Sequence, residues 1–179
     1  SNGVMYRTDK PGCIPDILDL WFSQRVEFRK LEKKYGDEGD KEKYAFYKKR
    51  QLVQKILLNS LYGVLGLPAF RFYDVDNATA VTTTGQTVIK STADMANIKY
   101  NKELNTPNAD SNIYIDTDSV FFSAVPLLDH RKPNWKGEEQ DVIAGYVNDI
   151  AGEMQDYLNN FYDILSEKVF NVDKTKHRF

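Results

Sequence analysis

The chain of 179 residues carries 41% hydrophobic and 13% aromatic side chains, which supports a folded core in one or two modest domains and excludes a disordered polypeptide. A formal net charge of −2 gives no global attraction to nucleic acid or anionic membrane, so any such binding must come from local basic clusters. One cysteine, Cys13, excludes an intrachain disulfide, two histidines argue against zinc, and no apolar run approaches the roughly 20 residues of a membrane span, so a soluble, intracellular, cytoplasmic protein without a membrane partner is expected.

Val4 to Pro15 reads as a short strand or extended lead-in followed by a turn, since Asp9-Lys10-Pro11-Gly12 is turn chemistry and Pro15 suits a helix start. A helix follows from Asp16 to about Tyr35, where Ile17, Leu18, Trp21, Phe22, Phe28 and Leu31 recur near helical spacing and Arg25 and Arg29 project together at i and i+4. Gly36 to Asp40 is a polar turn, and a second helix runs from about Lys41 to Tyr62, ended by Gly63, Gly66 and Pro68. The pair predicts an antiparallel helical hairpin with arms on the order of 30 Å long.

The second arm is rich in cations, with Lys41, Lys43, Lys48, Lys49, Arg50 and Lys55 against Glu42 alone between residues 41 and 55. At 100° per residue, Lys48, Gln51, Lys55, Asn59 and Tyr62 form a narrow stripe, while Leu52, Val53, Ile56, Leu57, Leu58 and Leu61 cover much of the remaining surface and predict burial on most sides. Two readings of the stripe stay open: it lines a cleft suited to a phosphate-bearing ligand, or it is the exposed side of a core helix.

Phe70 to Tyr73 passes over a surface or forms a short strand, and the acidic pair Asp74 and Asp76 reads as a helix cap before a threonine-weakened helix from Asn77 to about Asn101. A polar loop leads from Asn101 to Asp110 into the segment Asn112-Ile-Tyr-Ile-Asp-Thr-Asp-Ser-Val-Phe-Phe-Ser123. Its β-branched and aromatic runs predict a hairpin with Asp116-Thr117-Asp118-Ser119 at the turn. Alternation puts Asp116 and Asp118 on one side if strand geometry persists into the turn, and two close carboxylates are most simply compensated by a cation. Ala124 to Gln140 reads as an irregular connection with Trp135 as its anchor. Asp141 to about Lys168 returns to helix, with Val142, Ile143, Tyr146, Val147, Ile150, Met154, Leu158, Phe161 and Leu165 as its apolar stripe, and Val169 to Val172 could add an edge strand.

Two of these segments together carry a resemblance. Lys55-Ile-Leu-Leu-Asn-Ser-Leu-Tyr-Gly63 and Tyr114-Ile-Asp-Thr-Asp-Ser119 resemble the fingers motif Lys-x-x-x-Asn-Ser-x-Tyr-Gly and the palm motif Tyr-x-Asp-Thr-Asp-Ser of family B DNA polymerases, in that family's order. Gly12-x-Ile-Pro-x-Ile-Leu18 with Arg25 resembles the entry into the fingers, Asn77-Ala-Thr-Ala80 the segment after them, and Lys176-His-Arg-Phe179 a variant of the Lys-Lys-Arg-Tyr element.

The resemblance implies an α+β polypeptide: a palm-side lead-in over 1–13, a two-helix fingers hairpin over 14–66, and an incomplete palm with a small antiparallel sheet and packing helices over 67–179. It implies that Arg25, Arg29 and Lys55 neutralise the triphosphate of an incoming dNTP, that Asn59 hydrogen-bonds to it, and that Tyr62 packs under the nascent base pair with Gly63 permitting close approach. Asp118, with Asp116 beside it, would coordinate a pair of magnesium ions, and Thr117, Lys176, His177 and Arg178 would touch primer-template DNA. The family's other catalytic aspartate, in the pattern Asp-x-x-Ser-Leu-Tyr-Pro, has no counterpart among these 179 residues, and on the resemblance neither the exonuclease nor the thumb is expected within them. The expectation is therefore DNA synthesis by nucleotidyl transfer from a split gene product or truncated polypeptide, inactive alone, needing a partner that brings the exonuclease region and the missing aspartate. A non-catalytic DNA- or protein-binding remnant is the alternative, and a metal-dependent nuclease using Asp116 and Asp118 is a third reading that leaves the Lys55 to Gly63 motif unexplained.

Overall fold

The computed structural model describes residues 3–7 and 9–173. Among them the elements are five α-helices, one 3₁₀ turn and a two-stranded antiparallel sheet, an α+β arrangement as the sequence predicts. The chain divides into two compact units, 1–83 and 84–179, with the division inside the third helix.

The first unit is dominated by α1 (Cys13–Asp37) and α2 (Lys41–Leu65), which run antiparallel. The described residues of the lead-in before α1 form no strand. Helix α1 begins at Cys13, with Gly12 as N-cap, so Pro15 sits within the first turn, where its missing N–H has no intrahelical partner to lose. The tight turn uses Gly39 at φ 74°, and Asp40 caps α2 by accepting from the Lys43 N–H at 3.0 Å. Tyr47 holds the two arms together: its ring stacks on Tyr35 at 5.5 Å, meets Phe46 edge-on at 5.1 Å and lies 6.2 Å from Phe28.

Helix α2 departs from expectation in two ways. It runs through Gly63 to Leu65, with Gly66 as its C-cap. Its apolar residues are largely uncovered, with Leu52, Val53 and Ile56 each about half exposed and only Leu65 buried, because α1 is a single partner and covers a single side. Residues 70–73 make turns, not a strand, and Asp74 caps α3 (Val75–Leu104) by accepting from the backbone N–H groups of Asp76 at 2.9 Å and Asn77 at 3.1 Å.

The second unit has a core of Ala96, Tyr100, Leu127, Leu128, Ile150 and Met154. Tyr100 is fully buried, and that burial pushes its phenol up to about 12. The expected irregular connection after the sheet is instead helical. Pro126 opens α4 (Val125–Arg131), where a proline in the first turn costs no hydrogen bond, and the helix delivers Leu127 and Leu128 to the core. A 3₁₀ turn at Trp135–Gly137 follows, with Trp135 donating to Asp129 at 2.8 Å. Helix α5 (Gln140–Lys168) buries Ile150, Met154 and Leu165 from the expected stripe, while Val142 and Val147 are exposed. Residues 169–172 form no strand: Asn171 adopts φ 52° and the Phe170 and Val172 N–H groups turn back onto the Leu165 and Ser166 carbonyls.

Arg131 ties three helices of this unit. Its guanidinium donates at 2.8 Å to Glu103 of α3 and at 2.7 and 2.9 Å to Glu153 of α5, and both carboxyls are held below the ordinary glutamate range by these bonds. No helix among the described residues is long and apolar enough to cross a membrane.

Candidate active site

Two side chains fix which faces of α1 and α2 meet. Gln54 donates to Gln24 at 2.7 Å, so positions 24 and 54 point into the seam. Counting about 100° per residue from there, Arg25 and Arg29 lie about 100° and 140° around α1, and Lys55 and Asn59 lie about 100° and 140° around α2. In an antiparallel pair, equal rotations carry side chains to the same side. The four residues therefore share one face of the hairpin, with Arg25 and Lys55 at one level, Arg29 a turn toward the tip and Asn59 a turn toward the base. Arg25 is half-buried and its Nε has no hydrogen-bond partner among the described residues, while Arg29, Lys55 and Asn59 are exposed.

Tyr62 and Gly63 continue α2 toward its base, both exposed. A Cβ at Gly63 would meet nothing within 4 Å, so no part of the described chain demands glycine at this mid-helix position.

In the second unit, β1 (Asn112–Asp116) pairs with β2 (Ser119–Phe122), with Asp116 opposite Ser119 and a bulge at Ile113. The turn is just Thr117 and Asp118, so strand geometry ends at Asp116. The alternation that would align Asp116 with Asp118 does not extend to Asp118. Thr117 stands at φ 44°, which is unfavourable for a β-branched residue, and its hydroxyl donates to Asp116 at 3.0 Å. The Ser119 hydroxyl donates to Asp118 at 3.3 Å. Both carboxylates are exposed, and neither forms an ion pair among the described residues. No group of three or more potential metal-ligating side chains occurs among the described residues.

The hairpin is positioned by residues the motif reading passed over. Asn101 accepts from the Thr106 hydroxyl at 2.6 Å and the Ala109 N–H at 3.0 Å and donates to the Ala109 carbonyl at 2.9 Å. One turn earlier, Asn97 donates to Asp110 at 2.9 Å and accepts from the Ser111 N–H at 2.9 Å. Two asparagines at i and i+4 before a polar loop were the available signal. The sheet's other anchor is Phe122, 5.9 Å from Tyr100. Lys176, His177 and Arg178 lie outside the described residues.

The hairpin and the carboxylate turn both lie inside the segment that matches a known family. Residues 2–131 match the sequence profile of DNA polymerase family B, more than half of the chain, and the chain belongs to that family. It is 37% identical over 122 residues to the DNA-directed DNA polymerase of Enterobacteria phage T4, covering 62% of this chain and 14% of that protein. It is 29% identical over 175 residues to the DNA polymerase of Thermococcus gorgonarius, covering 98% of this chain and 20% of that one. With the DNA-directed DNA polymerase of Escherichia phage RB69 the identity is 42% over 79 residues, covering 44% of this chain and 9% of that protein. The chain thus spans between 9% and 20% of the length of these relatives.

Proposed function

We propose that this chain carries the fingers and part of the palm of a DNA-directed DNA polymerase, and that it takes part in template-directed transfer of a nucleotide from a dNTP to a primer 3′-hydroxyl. The observation that carries this reading is the placement of Arg25, Arg29, Lys55 and Asn59 on one face of a hairpin in a family B chain. Three cations and an amide along one face suit a triphosphate, whose charge they neutralise and whose oxygens they bond. Tyr62 and Gly63 then meet the nascent base pair, and the open space at Gly63 is consistent with an approach from outside the chain. The domain assignment follows: lead-in to residue 13, fingers over 14–66, partial palm from 67.

Among the described residues each of Asp118 and Asp116 accepts only from an adjacent hydroxyl, which leaves both able to bind a cation. They are half of a site, because two ions shared by one reacting phosphate need carboxylates from more than one strand. Two magnesium ions, when bound, would activate the primer hydroxyl and stabilise the departing pyrophosphate. The chain's own residues would hold the triphosphate on the hairpin face, present Asp118 as ligand with Asp116 in support, and contact DNA through Thr117 and Lys176, His177 and Arg178. A partner polypeptide supplies the remaining aspartate and the exonuclease region. Exposed Ile113, Tyr114, Ile115 and Phe121 support that requirement, because two strands leave apolar side chains for further protein to cover.

Titration of the chain with a dNTP in the presence of magnesium tests the nucleotide face. Lys55→Ala and Arg25→Ala should each weaken binding about tenfold, equivalent to about 1.4 kcal/mol. Parent-like affinity in both variants contradicts the assignment, and absence of dNTP binding with DNA binding retained points to a non-catalytic remnant.

A further inference from the structure

Toward the tip of the hairpin, starting from Arg29 at the tip end of the proposed nucleotide face, Val26, Arg29, Lys30, Glu32, Lys33 and Tyr44 line a groove of about 520 Å³. Three cations stand there against one carboxylate. None of Arg29, Lys30 and Lys33 has an acidic side chain within ion-pair distance among the described residues, whereas neighbouring Lys34 and Lys43 pair with Glu38 and Asp40. Arg29 and Lys33 are four residues apart on one helix, so their like charges repel. From the facing helix, Lys48 adds a fourth cation 5.3 Å above the Tyr44 ring. A bound anion relieves this repulsion.

The distribution of charge identifies the kind of anion. The cations are strung along α1 and across to α2 instead of converging on a point, and the middle of a helix has no free backbone N–H to close around a single phosphate. A line of separated positive charges beside an aromatic ring matches a polymer of phosphates. We infer that this groove holds the phosphodiester backbone of single-stranded nucleic acid along the outer hairpin, chiefly through Lys30 and Lys33 on the tip side of the incoming nucleotide. The choice of nucleic acid among polyanions rests on the polymerase reading. The groove itself does not.

The test uses the full chain and a fluorescently labelled oligothymidylate, with anisotropy measured across a range of salt concentrations. The double variant Lys30→Gln/Lys33→Gln should lower affinity about fivefold at low salt and reduce the salt slope by about 1.4, at about 0.7 per lost phosphate contact. Glu32→Gln should raise affinity, an effect no unfolded variant can produce. Helix content by circular dichroism should match the parent in both. Unchanged affinity and slope in the double variant, or no oligonucleotide binding by the parent chain, overturns the inference. Displacement of the oligonucleotide by magnesium dTTP assigns the groove to free nucleotide, and equal displacement by polyglutamate makes it a generic anion surface; either result also overturns it. The double variant should retain the parent's dTTP affinity, and a parent chain that binds the oligonucleotide but not dTTP would count against the polymerase reading alone.

Discussion

Thr117 holds a β-branched side chain at φ 44°, a backbone region that costs an ordinary residue about 1–2 kcal/mol. Thr117→Gly relieves that cost and loses the hydroxyl on Asp116, with glycine's larger unfolded-state entropy returning part of the gain. Its expected effect is a hairpin more stable by up to about 1 kcal/mol, read as slower amide exchange in residues 112–122. Faster exchange would show that the threonine conformation is not strained. Gly63 makes the opposite bargain: Gly63→Ala should stabilise α2 by about 0.5–1 kcal/mol in thermal unfolding, since a Cβ there meets nothing. The same variant should impair DNA synthesis if a base pair approaches at that point. Asp116 and Asp118 were legible in sequence as the charged tip of an apolar hairpin. Their orientation was not, because alternation holds only inside a strand and the pairing of Asp116 with Ser119 leaves Asp118 in the turn.

Among the elements, the hairpin arms depend on Tyr47, which touches aromatic rings of both helices. Tyr47→Ala should cost about 2–3 kcal/mol in chemical denaturation, less than a fully buried aromatic because the ring is half-buried. Periodicity located all four long helices and the carboxylate hairpin to within a few residues. It failed on α4, because Pro126 reads as a breaker unless it falls in a first turn, and on residues 169–172, where a left-handed Asn171 folds the chain back. Burial of α2 was also misjudged. Apolar composition reports what a helix can cover, and the described chain gives Leu52, Val53 and Ile56 nothing to cover them.

At the scale of the molecule, the second unit depends on the Arg131 clamp, and its pH response follows from the sign of the shifts. Glu103 and Glu153 have folded pKa values below the ordinary 4.5, so their contribution is present above that pH and is lost as pH falls through the folded values. Unfolding of this unit should become easier below about pH 4.5, and Arg131→Met should flatten that dependence while costing about 1–3 kcal/mol at neutral pH. An acid profile unchanged in the variant would place the sensitivity elsewhere. Sequence gave no hint of this clamp, whose three members lie 28 and 22 residues apart and meet only when three helices pack.

The family relation rests on a match over residues 2–131, which spans both units, whereas the proposed nucleotide transfer calls for a second carboxylate-bearing strand. Magnesium-dependent primer extension by this chain, with and without a polypeptide supplying the upstream palm strand and exonuclease region, tests that dependence directly. Extension should occur only in the mixture and should fall by on the order of 10²–10³ with Asp118→Asn, the scale of losing one preorganised charged group at a reacting phosphate. Extension by the isolated chain, or extension in the mixture that survives Asp118→Asn, would contradict it.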